Sequence, residues 1–146
     1  MSYFIQFIAA IMSTVGFALV FAVPLKTLLV SAVNGGFGWI VFKYVIDTTG
    51  SKYIAVFLSA LSITFVSEML ARRLRYPASV FIIPGIINLV PGEGIYNTMG
   101  FFVNNQSELA IESFYSTIVV AGSISFGILL ASSFSTSLKA FRTRTV

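Results

Sequence analysis

The stretch Val80-Phe-Ile-Ile-Pro-Gly-Ile-Ile-Asn-Leu-Val-Pro-Gly-Glu-Gly-Ile-Tyr96 decides how the rest of this chain is read. Its valine, isoleucine and leucine content is that of a membrane span, yet the pairs Pro84-Gly85 and Pro91-Gly92 interrupt it. Each proline lacks an amide N–H, and its ring crowds the carbonyl four residues earlier, here those of Val80 and Ile87. The adjacent glycines add backbone freedom. In hydrocarbon a freed carbonyl has no water to turn to. Such backbone is tolerated only where protein buries it or where it lines a wet cavity. Transporters use broken helices in this way, binding substrate and coupling ions at half-helix ends near mid-membrane.

Polar residues gather in the same stretch. If it stays roughly helical, Asn88, Gly92 and Tyr96 share one face at i, i+4 and i+8. Glu93 is the sole charge between Arg75 and Glu108. A carboxylate inside a span costs roughly 2.5–3.5 kcal/mol on insertion scales and calls for a reason. It could couple protons, or bind the ammonium group of an amino-acid substrate. It could also merely sit in the first turn of the helix restarting after Pro91, where the dipole favours an anion. Asn88, Glu93 and Tyr96 are therefore candidates for a substrate or proton path, with Pro84, Gly85, Pro91 and Gly92 shaping it.

Outward from that stretch, the chain has the composition of a membrane protein. Of its 146 residues, 57% are hydrophobic and 10% charged, and mean hydropathy is +0.94. A soluble domain carries about a quarter charged residues. Five apolar spans are predicted, at about 3–23, 27–46, 53–71, 78–103 and 111–138, each near the 20 residues that cross a bilayer. The connections are short, so an all-α integral membrane fold in a single domain is expected. The first run is too long for a signal-peptide core and lacks a basic n-region, so it reads as a retained span.

Cysteine and histidine are absent. That removes thiol nucleophiles, histidine bases and the usual zinc or haem ligands, so no enzyme activity, metal or cofactor is expected. The formal charge of +4 is accounted for by residues flanking the spans, which leaves no case for nucleic acid. Lys26, Arg72, Arg73, Arg75, Lys139, Arg142 and Arg144 fall on one side of the predicted topology, against Lys43 and Lys52 on the other. The positive-inside rule then puts the N-terminus outside and the C-terminus in the cytoplasm.

Other polar positions have simpler readings. Glu68 stands four residues before Arg72, so an i, i+4 ion pair accounts for it, with a transport role as the alternative. Asn34, beside Gly35, Gly36 and Gly38, reads as a close helix-packing site before a ligand. Ser123, Gly127 and Ala131 mark another small-residue face, one that could bind a partner chain. The basic tail from Lys139 to Arg144 reads as an anchor touching anionic lipid.

The run Ile83-Pro-Gly-Ile-Ile-Asn-Leu-Val-Pro-Gly-Glu-Gly-Ile-Tyr96 resembles the signature of the threonine/serine exporter family, particularly its small-subunit type. The family pattern P-x-x-x-x-x-x-P-G-x-x-x-Y is met by Pro84, Pro91, Gly92 and Tyr96. Glu68-Met-Leu-Ala-Arg-Arg-Leu-Arg-Tyr-Pro77 is similar to the family's third loop, and Gly16-Phe-Ala-Leu-Val-Phe-Ala-Val-Pro24 to the end of its first helix. Asn88 and Glu93 depart from the pattern, at places where apolar or small residues are common.

The resemblance implies a multi-pass protein of the bacterial plasma membrane, the smaller half of a two-component exporter whose partner is a larger membrane subunit. It implies small polar substrates, threonine and serine or a dicarboxylate such as succinate, moved by the proton gradient. A homo-oligomer is left open. The rival reading is a non-transporting scaffold or assembly subunit, which leaves the Pro-Gly pairs and Glu93 without a purpose. An intramembrane enzyme fits poorly, since no Asp pair lies within the spans.

Overall fold

In the computed structural model, residues 2–143 are described, with side chains through residue 137. Among the described residues every regular element is a helix: α1 (Tyr3–Val20), α2 (Leu25–Thr49), α3 (Lys52–Leu74), α4 (Ser79–Ile86), a 3-10 turn (Ile87–Leu89), α5 (Gly92–Val103) and α6 (Ser107–Thr143). Four helices are long and apolar enough to cross a membrane, namely α1, α2, α3 and α6. The segments Ser79–Leu89 and Gly92–Val103 make a fifth if they form one span, bent by 47°. The basic tail read at Lys139, Arg142 and Arg144 lies outside the residues whose side chains are described.

Large apolar side chains face outward and small or polar ones inward. Phe4, Met12, Val20, Leu25, Phe126 and Phe134 are exposed, whereas Thr14, Ser31, Asn34, Ser59, Thr64 and Ser67 are buried. Water would punish that distribution, but in lipid it costs nothing. Apolar bulk meets acyl chains, while small residues let the helices approach closely and hydrogen-bond to each other.

α1 and α2 form an antiparallel hairpin. A Cβ on Gly35 would fall inside the Thr14 side chain, and one on Gly36 would lie 2.7 Å from Ile11 Cγ1. The hairpin is tied at one end by the Tyr3 hydroxyl, which donates to Asp47 Oδ2 at 2.8 Å, and Asp47 also pairs with Lys43 at 2.6 Å. α2 ends at Gly50, whose φ of 67° is the left-handed conformation glycine adopts freely, and whose N–H reaches Ile46 O at 2.9 Å.

α3 returns antiparallel to α2. Ser59 Oγ donates to Gly38 O at 2.6 Å, and Asn34 Nδ2 donates to Ile63 O at 3.2 Å and to Ser67 Oγ at 2.8 Å. The sequence Asn34-Gly-Gly-Phe-Gly38 is thus a packing site against α1 on one side and α3 on the other.

α3 and α6 lie side by side and run in the same direction. The Tyr53 hydroxyl meets Ser116 Oγ at 3.4 Å near one end, and Arg72 meets Ser135 near the other. Gly127 sits where they touch: a Cβ there would stand 2.8 Å from Phe57 O and 3.0 Å from Leu61 N. The small-residue face read at Ser123, Gly127 and Ala131 therefore serves contacts within the chain at Gly127, and Ala131 is buried. Val56, Ala60 and Ile63 of α3, Ile86 and Leu89 of the interrupted segment, and Val120 and Ile124 of α6 close the core.

Candidate functional site

The interrupted segment is built by its neighbours as much as by its prolines. Pro84 lies inside α4 without ending it. The carbonyl of Val80, left without an N–H by Pro84, accepts from Ser31 Oγ of α2 at 3.3 Å. Gly85 packs tightly there, since a Cβ on it would reach within 2.9 Å of Ile63 Cγ2. The first Pro-Gly pair is thus a packing element that keeps its helix.

The second pair ends it. Val90, the residue before Pro91, takes the extended conformation (φ −59°, ψ 129°) that a following proline imposes. Ile87 O, which loses its helical partner to Pro91, accepts from the Val90 N–H at 3.3 Å instead, closing a 3-10 turn. α5 then starts afresh at Gly92. Because the helix breaks between them, Asn88, Gly92 and Tyr96 do not share the single face that an unbroken helix would give them.

Asn88 turns toward α1. Its Nδ2 donates to Ala10 O at 3.2 Å and to Thr14 Oγ1 at 2.9 Å, while the Thr14 hydroxyl itself donates to Ala10 O at 2.8 Å. This junction borders a cleft of about 540 Å³ between α1, α2 and the turn, lined among others by Gln6, Ser13, Trp39 and Asn88. Trp39 Nε1 donates to Gln6 Oε1 at 3.3 Å along its wall. An aromatic ring, an amide and a hydroxyl in an otherwise apolar cleft are the makings of a small-solute site.

Glu93 and Tyr96 lie elsewhere. Glu93 is exposed in the first turn of α5 and borders a second, smaller cleft, while Tyr96 is 78% exposed. Glu68, at the far end of α3, accepts from Ser135 Oγ at 3.2 Å. Arg72 donates to Ser135 O at 2.6 Å and to its hydroxyl as well. The direct Glu68–Arg72 ion pair suggested by their spacing is therefore replaced by a bridge through Ser135, whose hydroxyl on α6 is nearer to both.

The four path candidates thus occupy three places in the fold. The partners Thr14, Ser31, Trp39 and Ser135 were not singled out from sequence. Thr14 and Ser31 are lone hydroxyls in apolar runs, a signal that is faint without knowledge of which helix they face.

A model of the family described as Threonine/Serine exporter, ThrE, matches residues 6–134. A protein of Haemophilus influenzae carrying no functional name is 30% identical over 129 residues, which is 83% of this chain and 43% of that protein. The chain thus spans less than half the length of that relative. No solved structure matches.

Proposed function

We propose, from the premise that this chain belongs to the threonine/serine exporter family, that it is the small subunit of a two-component secondary exporter of small polar metabolites. The substrates are threonine and serine or a dicarboxylate such as succinate, the driving force is the proton gradient, and a larger membrane subunit of the same family completes the machine. Membership makes it a multi-pass membrane protein of a transporter family.

The observation that carries the reading is the end of the α-helix before Pro91, which leaves a 3-10 turn carrying Asn88 beside a partly polar cleft within a bundle of apolar helices. Broken spans bordering a cavity are the arrangement that alternating-access transporters build around their sites. In this reading Asn88 contacts the substrate, Glu93 and Tyr96 stand further along the path on α5, and Glu68 is a candidate proton carrier at the opposite end. Pro84 and Gly85 hold α4 against α2 and α3, and Pro91 and Gly92 set the bend. The cleft at Asn88 reaches the surface at the exposed Ala9 and Ser13, which suits a wall supplied by another subunit. The positive-inside distribution puts the N-terminus outside and the C-terminus in the cytoplasm.

The test is flux. Vesicles holding the chain with its larger partner are loaded with labelled threonine, serine or succinate, and a pH gradient is imposed. Efflux that follows the gradient and falls on Glu93→Gln or Tyr96→Phe is expected. Normal assembly with every flux unchanged in both variants would remove the path reading. The exposure of Tyr96 also suits a scaffold, and loss of assembly with Tyr96→Ala would favour that reading instead.

A further inference from the structure

The second cleft, distinct from the one at Asn88, gathers opposite charges that do not touch. It encloses about 160 Å³ between the first residue of α3, the start of α5 and the early turns of α6. Lys52, Glu93, Asn97, Ser113, Ser116 and Thr117 contribute to its wall. Part of that polar capacity is used internally: Ser113 Oγ donates to Gly94 O at 3.2 Å, and Thr117 Oγ1 donates to Ser113 O at 2.7 Å. The remainder is not. Ser116 Oγ accepts from Tyr53, which leaves its own proton to give. Among the described residues, the side chains of Lys52, Glu93 and Asn97 have no hydrogen-bond or ion-pair partner.

We propose that this cleft binds a compact zwitterion, a small α-amino acid. The solute's carboxylate would meet the Lys52 ammonium and the Ser116 hydroxyl, and its ammonium the Glu93 carboxylate and the Asn97 amide oxygen. One positive and one negative side chain on the wall match one carboxylate and one ammonium. A dicarboxylate would set its second carboxylate against Glu93 with no second cation to receive it. The volume is well below the roughly 300–1,000 Å³ of drug-sized pockets, which limits the solute to a few heavy atoms. Lys52 and Glu93 are both exposed, so a solute reaches them without rearrangement. The inference rests on the exporter reading for why such a solute is present, and on the cleft for how it is held.

The experiment is calorimetric titration of the full chain in lipid nanodiscs with L-serine, serinol (no carboxylate), N-acetyl-L-serine (no ammonium) and succinate. L-serine is expected to bind saturably, and to bind at least about tenfold more weakly to Lys52→Gln and to Glu93→Gln, the loss of one charged hydrogen bond. Serinol, N-acetyl-L-serine and succinate should bind the unaltered chain at least about tenfold more weakly than L-serine, for the same reason. The exchanged pair Lys52→Glu with Glu93→Lys should restore binding, which guards against a variant that merely folds badly. Equal L-serine affinity in all variants, or succinate binding as tightly as L-serine, overturns the proposal. Vesicle flux on the same variants separates the two readings. Binding indifferent to both substitutions with flux intact sinks this site and leaves the exporter. Charge-dependent binding without flux of any solute keeps the site and removes the exporter.

Discussion

The side-chain amide of Asn88 donates to the hydroxyl of Thr14 at 2.9 Å, joining a turn in the interrupted segment to the first helix across 74 positions of sequence. Thr14 is fully buried, so its hydroxyl has no water as an alternative partner, while Asn88 is half-buried at the edge of the cleft. Breaking this bond should free the turn. In a cycle of Asn88→Ala, Thr14→Val and the double variant, measured by unfolding in detergent, a coupling of about 0.5–1 kcal/mol is expected, the range found for hydrogen bonds between membrane helices. Strictly additive losses would mean the bond holds nothing.

Ser31 and Pro84 should also be coupled. Ser31→Ala leaves Val80 O without a donor and should cost about 1 kcal/mol. In a Pro84→Ala background the residue at 84 regains its N–H and can serve Val80 O itself, so the same serine substitution should then cost little. Equal costs in both backgrounds would show that Ser31 does not compensate for the proline.

Two glycines five residues apart on α6 provide an internal control. Gly127→Ala would place a methyl group against Phe57 O and Leu61 N, and overpacking of this kind costs roughly 1–3 kcal/mol. Gly122 has nothing within 4 Å of a built Cβ, so Gly122→Ala should be neutral or slightly stabilising through helix propensity. Thermal unfolding of the two variants reads the difference directly, and similar melting shifts would contradict the close α3–α6 contact.

Orientation can be read without background labelling, because the chain has no cysteine of its own. Arg73→Cys should react with a membrane-impermeant maleimide only after permeabilisation, and Lys52→Cys in intact cells. Labelling of Arg73→Cys from outside would invert the topology.

Much of this fold is legible in the sequence, because apolar runs near 20 residues report spans whatever they pack against. The glycine cluster after Asn34 announced a close approach, and α1 and α3 both make one. What sequence could not say is which Pro-Gly pair ends the helix. Both have the same local chemistry, and Pro84 keeps its helix while Ser31, 49 residues before Val80 in the chain, supplies the donor that Val80 O lacks. The same limit hid Lys52 from the reading of Glu93. Periodicity says which face a residue occupies and nothing about which face opposes it. The hydroxyls Ser113, Ser116 and Thr117, spaced three and four apart on α6, carried a readable polar stripe whose meaning depended on α5 folding back over it.

The matching pairs Tyr53–Ser116 and Arg72–Ser135 fix α6 alongside α3 like a scale laid against a shorter rod. α6 begins at Ser107, nine residues before Ser116, and α3 at Lys52, one before Tyr53, so α6 overshoots the start of α3 by about 12 Å at 1.5 Å per residue. From Ser107 to Ser137 the helix, with Glu108 and Glu112 in its first turns, is about 46 Å long, against a hydrocarbon layer of about 30 Å. Ordinary tilts near 20° absorb only a small part of that excess. Bilayer thickness therefore sets how far the α5–α6 hairpin stands above the lipid, and with it how deep the mouth at Lys52 and Glu93 lies. Thicker and thinner membranes should tune the activity of this chain without any change in its chemistry.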